Sequence, residues 1–194
     1  MDIIKRVKNV IVAPKQEWPT IETENAPHAK VLTTYVVLLA LIPAVAAFIG
    51  YGLIGYSVFG HHIGSISFGI RQAIVQYITM LGGIYLAAFV IDALAKNFGA
   101  TKNFNQAFSL VAYSYTPMFI GGIFNIYHSL TWLAMVAGIY GLYLLYIGLK
   151  PMMKVPDEKQ TSYFVVSLLV MILAMFIIMG ILGAFLLRGM MPHF

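Results

Sequence analysis

Val165–Leu187 reads VVSLLVMILAMFIIMGILGAFLL, an uncharged run in which Ser167 is the one hydroxyl. About 20 mostly apolar residues are enough for a helix to cross roughly 30 Å of hydrocarbon. A helix of a soluble bundle keeps a charged face opposite its apolar stripe. A membrane β-strand alternates apolar and polar residues. This run does neither, so it predicts a transmembrane helix, and the rest of the chain follows from it.

Four further stretches have the same character. The five spans are expected at about 31–56, 73–95, 107–127, 130–149 and 163–187, with Pro43 inside the first and Pro117 inside the third. The third is the least apolar, diluted by Asn105, Ser109, Ser114, Thr116 and Asn125. The predicted fold is all-α: a polytopic integral membrane protein, with five transmembrane helices in residues 31–194. Residues 1–30 form a cytoplasmic N-terminal segment. Composition agrees, at 60% hydrophobic and 10% charged, against about 25% charged in soluble domains. No cysteine is present, which excludes a disulfide framework and thiolate chemistry. The first eighteen residues lack a long apolar core and a small-residue cleavage site, so no cleavable signal peptide is expected.

Charge placement orients the spans. Lys5, Arg6, Lys8, Lys15, Lys30, Lys96, Lys102, Lys150, Lys154 and Lys159 fall on one side, and Arg71 and Arg188 on the other. Basic loops stay in the cytoplasm. The N-terminus is therefore expected inside and the C-terminus outside, in the inner (plasma) membrane.

The N-terminal segment predicts an interfacial amphipathic helix. Ile3, Ile4, Val7, Val10 and Ile11 recur at helical spacing, and Lys5, Arg6 and Lys8 are read as lying away from that stripe, toward anionic lipid. Pro14 would end this helix. Trp18 suits an interfacial anchor, and TIETENAPH reads as a polar linker. Between spans four and five, Pro151 is expected to stop the fourth helix, and Asp157 or Ser162 to cap the fifth.

Polar groups inside spans are costly and often functional. Gln72, Gln76, Asp92, Ser114, Thr116, Pro117 and Asn125 are the candidates for a polar cavity. Asp92 is also read as an i,i+4 partner of Lys96. Pro117 deprives the Tyr113 carbonyl of its backbone donor, and the Ser114 and Thr116 hydroxyls stand near enough to satisfy neighbouring groups. Broken helices line transporter sites, but they also serve as packing kinks. His61, His62, His128 and His193 fall on the outer side. Imidazole binds zinc or copper, yet no outer carboxylate completes a site, so no metal is assigned and His61, His62 and His128 remain minor candidates. Catalytic motifs such as HExxH, GxSxG and a Walker loop are missing, so no enzyme and no cofactor are expected. The basic residues are explained by topology and do not form a nucleic-acid surface. The expected partners are the lipid bilayer, anionic lipids included, and other membrane proteins or further copies of the chain.

Four features together resemble the Yip-one domain family. They are Pro14 and Trp18 in APKQEWPTI, AYSYTP in span three, GIYGLYLLYIGLKPMM closing span four, and a last apolar span. The resemblance implies a small five-span membrane protein. Eukaryotic members bind Ypt/Rab GTPases and carry a longer acidic N-terminus with an Asp-Leu-Tyr-Gly-Pro type motif, which this chain lacks. The short N-terminus is similar to that of bacterial members, which implies inner-membrane residence. From the residues and the resemblance together, a non-enzymatic scaffold or membrane organiser is the first expectation. A small transporter or channel using span three is the second.

Overall fold

A computed structural model describes residues 2–58 and 61–190, with side chains placed for 2–57 and 63–178. Two short helices, α1 (Ile3–Val12) and α2 (Pro14–Glu24), precede five long ones. These are α3 (His28–Ile54), α4 (Ile66–Phe98), α5 (Phe104–Ile126), α6 (His128–Met153) and α7 (Asp157–Met190). All five long helices are apolar enough to cross a membrane. Between α3 and α4, strands β1 (Tyr56–Val58) and β2 (His61–Ile63) pair antiparallel, with Tyr56 opposite Ile63. They are the only sheet among the described residues.

Cross-links fix the directions of the helices. Asn105 Oδ1 at the start of α5 accepts from the His28 backbone N–H at 3.0 Å at the start of α3, and lies 2.8 Å from His28 Nδ1. The Thr101 N–H donates to the Met153 carbonyl at 2.7 Å and joins the α4–α5 and α6–α7 connections. The starts of α3, α5 and α7 thus share one end of the bundle, called here the basic end. At the opposite end Gly50 packs on the backbone of Asn125 and Ile126.

Local sequence sets the boundaries. Ser65 Oγ and Asn103 Oδ1 cap α4 and α5 by accepting from Phe68 N and Gln106 N, each at 3.2 Å. Gly99 ends the turn after α4 with φ +71, where glycine has no Cβ penalty. Pro151 does not stop α6. The helix continues to Met153, and Lys154 then turns left-handed at φ 52. Proline removes the donor to the Ile147 carbonyl, a single bond close to the helix end, and the helix survives its loss. α3 is irregular, with π-helical turns at Leu32–Val36 and Ile49–Ile54 and an interruption at Ala40, three residues before Pro43.

The most polar span is the most enclosed. In α5, 72% of the span window is buried, against 11% in α7. Protein surrounds α5, so its hydroxyls and amides meet other helices instead of lipid. The described part of the last span, through Ile178, faces mostly outward, which explains its apolarity.

The Gly50 contact gives a test. A Cβ there would overlap the Asn125 carbonyl oxygen and lie 3.0 Å from that of Ile126. Both are backbone atoms and cannot rotate away. Gly50→Ala should cost about 1–3 kcal/mol by overpacking, seen as a lower melting temperature in detergent. Gly82→Ala meets nothing within 4 Å and should leave the melting temperature unchanged or slightly raised.

Candidate functional site

The polar groups gather in two places: the N-terminal helices, and the break in α5. α1 and α2 form an antiparallel hairpin. Asp2 caps α1 through its side chain, and Pro14 opens α2 at its first position, where a missing N–H costs nothing. Arg6 ties the two helices together. Its guanidinium reaches Glu17 Oε1 at 2.6 Å and Glu24 Oε1, while Asn9 Nδ2 donates to Glu17 Oε2 at 2.9 Å. The Arg6 carbon stands 5.5 Å from the centre of the Tyr113 ring on α5. Burial opposes the Arg6 charge, but the Glu24 hydrogen bond and the nearby Tyr113, Glu24 and Glu17 outweigh it and hold its pKa above the ordinary guanidinium value. An open cleft of about 410 Å³ beside this pair is lined by Lys5, Asn9 and Thr20 among others.

This geometry corrects two sequence expectations. Arg6 is 6% exposed and does not face lipid. It shares the helix face of Ile3, Val7 and Val10, and its charge is matched by carboxylates from α2. Trp18 is 1% exposed and is no interfacial anchor. It lies in the core because α6 leaves room at Gly148, where a Cβ would come within 2.5 Å of Leu110 and 2.7 Å of the Trp18 ring. Lys5 and Lys8 do point outward. TIETENAPH is largely helical, since α2 runs through Glu24. The Gln106 side-chain amide donates to the Glu22 carbonyl at 2.9 Å, Lys154 Nζ meets Glu22 at 3.1 Å, and the Tyr140 hydroxyl donates to the Ile11 carbonyl at 2.7 Å. The hairpin is therefore seated against both α5 and α6.

The break in α5 falls at Tyr115, just before Pro117. Thr116 Oγ1 donates at 2.6 Å to the Tyr113 carbonyl, the one Pro117 cannot serve. Since that hydroxyl spends its proton there, the Tyr35 hydroxyl donates to Thr116 Oγ1, also at 2.6 Å. The Ser114 carbonyl lies close to Gly141 of α6. The helix break is thus closed by side chains from α3 and α5. Tyr35→Phe removes one buried donor and should lower stability by about 1 kcal/mol. Thr116→Val removes both the acceptor of the Tyr35 hydroxyl and a donor to the Tyr113 carbonyl, and should cost about 1–3 kcal/mol. Thermal unfolding in detergent would rank the two variants, and the reverse order would contradict this bonding scheme.

The remaining candidates scatter. Ser114, Thr116 and Pro117 are buried together at the break. Gln76 lines a mainly apolar cavity of about 200 Å³ between α4, α5 and α7, with Thr79, Tyr115 and Met118. Gln72 is half-buried near the start of α4, and Asn125 half-buried at the far end of α5. Asp92 lies at the basic end and meets Lys102 at 3.9 Å, not Lys96. The chain tightens into a 3-10 turn from Ala95 to Phe98, which takes Lys96 off the i,i+4 register. The His128 ring stacks on Tyr56 with centroids 4.9 Å apart. The side chains of His61 and His62, and all of His193, lie outside the described residues. Among the described residues no group of three His, Cys, Asp or Glu could hold a metal.

Sequence reasoning missed Tyr35, Glu17, Glu24, Tyr140 and Gly148. The one available signal was Arg6, a charge set within an apolar stripe at positions 3, 7 and 10.

The sequence features noted at the outset meet in this structure. Pro14 opens α2, Trp18 on that helix packs on Gly148 of α6, and AYSYTP on α5 abuts Gly141 through the Ser114 carbonyl. The Yip1 domain matches residues 8–181. The inner membrane protein YohC of Escherichia coli strain K12 is 28% identical over 174 residues, covering 87% of this chain and 89% of the relative. YohC of strain CFT073 matches equally. No solved structure matches. The chain belongs to the Yip1 domain family.

Proposed function

We propose that the protein is a non-enzymatic membrane organiser of the inner membrane, with its basic end in the cytoplasm and its C-terminus outside. The observation that carries this is the distribution of its polar groups. The cations Arg6, Lys102, Lys150 and Lys154 pair with Glu17, Glu24, Asp92, Asp157 and Glu22 at the basic end. At the α5 break the Tyr35 and Thr116 hydroxyls are engaged in bonds that close the break, while Ser114 Oγ is buried without a side-chain bond. The result is a folded cap on the basic end, suited to contact with lipid and neighbouring membrane proteins. Site-specific photocrosslinking from Lys8 and Thr20 in native membranes should capture defined neighbours. Capture of lipid alone at every position would contradict a role in organising proteins.

Passage of an ion or small solute is the second reading, supported by the cavity beside the α5 break. Proteoliposomes should show no flux above empty vesicles. Flux that Pro117→Leu abolishes would favour transport over the organising role.

A further inference from the structure

The N-terminal hairpin descends along two helices in matching register. On α6, Lys154 pairs with Glu22, Gly148 holds Trp18, and Tyr140 bonds Ile11. On α5, Gln106 bonds Glu22, Leu110 is next to Trp18, and Tyr113 lies beside Arg6. Tyr140 stands ten residues below Lys150, a drop of about 15 Å at about 1.5 Å per residue. Half of a typical hydrocarbon core is also about 15 Å. The turn of the hairpin therefore lies well below the level of the basic loops.

Its outer surface is mixed. Ile4 is 81% exposed and Val12, next to the turn, is 73% exposed. Lys5, Lys8, Lys15 and Gln16 are exposed as well. We propose that α1–α2 is a re-entrant wedge in the leaflet at the basic end, with Ile4 and Val12 among acyl chains and Lys8 and Lys15 drawing phospholipid headgroups down around it. The argument is one of cost. An ammonium held in hydrocarbon is relieved by snorkelling and by local thinning of the bilayer, and a lysine side chain cannot climb the whole drop. The leaflet must dip to meet it. Arg6 needs no headgroup, since Glu17 and Glu24 match its charge within the hairpin. This inference deepens the organising role by giving it a physical means, a leaflet thinned on one side of the protein.

The chain has no native cysteine, so single nitroxide labels can be placed cleanly. Val12→Cys, Gln16→Cys, Ile139→Cys and Lys96→Cys would be labelled and reconstituted in vesicles of phosphatidylethanolamine and phosphatidylglycerol; Gln16 is exposed beside Lys15, which stays in place. Collision rates with oxygen and with a water-soluble nickel chelate report depth. The Val12 label should match Ile139, a 63% exposed neighbour of Tyr140 on α6, in high oxygen and low nickel contact. The Gln16 label should show nickel contact several-fold above both. A Val12 label as open to nickel as Lys96 would place the hairpin outside the leaflet and overturn the inference. A Gln16 label as shielded as Val12 would overturn the thinning. Neither failure touches the organising role, which falls on the crosslinking result instead.

Discussion

Arg6→Leu should release α1 from α2 and loosen the N-terminal hairpin. Arg6 is 6% exposed, and its partners Glu17 and Glu24 are 12% and 39% exposed. Removing one member of a buried ion pair costs about 3–5 kcal/mol, because the partner charge is left uncompensated. Glu24 keeps some solvent, so the lower end of that range applies. Glu17 and Glu24 would then face each other without a cation, and Asn9 would hold only Glu17. Limited proteolysis would report the release as early cleavage within residues 13–25, together with a fall in melting temperature. Arg6→Lys keeps the charge but loses the two-pronged contact, and should lie between wild type and Arg6→Leu. Pairing Arg6→Leu with Glu17→Met should recover part of the loss, since an apolar replacement of the whole pair is often tolerated. An unchanged proteolytic pattern in Arg6→Leu would show that the pair does not hold the hairpin.

Trp18→Ala should be comparably severe. The ring is 1% exposed and fills the space between Leu110 and Gly148. Truncating a buried tryptophan costs about 3–5 kcal/mol, part of it from the cavity left behind. Trp132, the other tryptophan, is 60% exposed, and Trp132→Ala should leave stability almost unchanged. The contrast separates a core residue from a headgroup anchor, for which both substitutions would be mild. Enlarging the partner tests the same contact from the other side. Gly148→Ala should cost about 1–3 kcal/mol by overpacking, and combining it with Trp18→Phe should cost less than the sum.

The five spans were legible because the length of an apolar run is itself a physical requirement of the bilayer. Their polar contents were legible only in part. The sequence shows that Pro117 frees the Tyr113 carbonyl, but Thr116 is only one of the hydroxyls within reach, and Tyr35 comes from a different helix. The N-terminal helix was harder. An apolar stripe reads the same whether it lies on lipid or on protein, and Trp18 is at home on either. What decides is the complement, and Gly148 stands 130 positions further along the chain. Local periodicity carries no trace of such a pairing. Asp92 shows the reverse difficulty: the i,i+4 spacing to Lys96 is sound for a regular helix, and a single 3-10 turn cancels it.

The contact between Tyr140 and Ile11 spans 129 positions, and this separation sets an order of events during synthesis. The first two helices emerge from the ribosome long before α5 and α6 exist to receive them. Arg6 lacks Tyr113 until α5 has been inserted, and until α6 follows Trp18 lacks its pocket and the Ile11 carbonyl its donor. The N-terminus is made first and docks late, so the ends of the chain's schedule meet in one packing step. A chain truncated before α6 would carry that segment undocked, with its apolar face open to whatever holds nascent membrane proteins in solution.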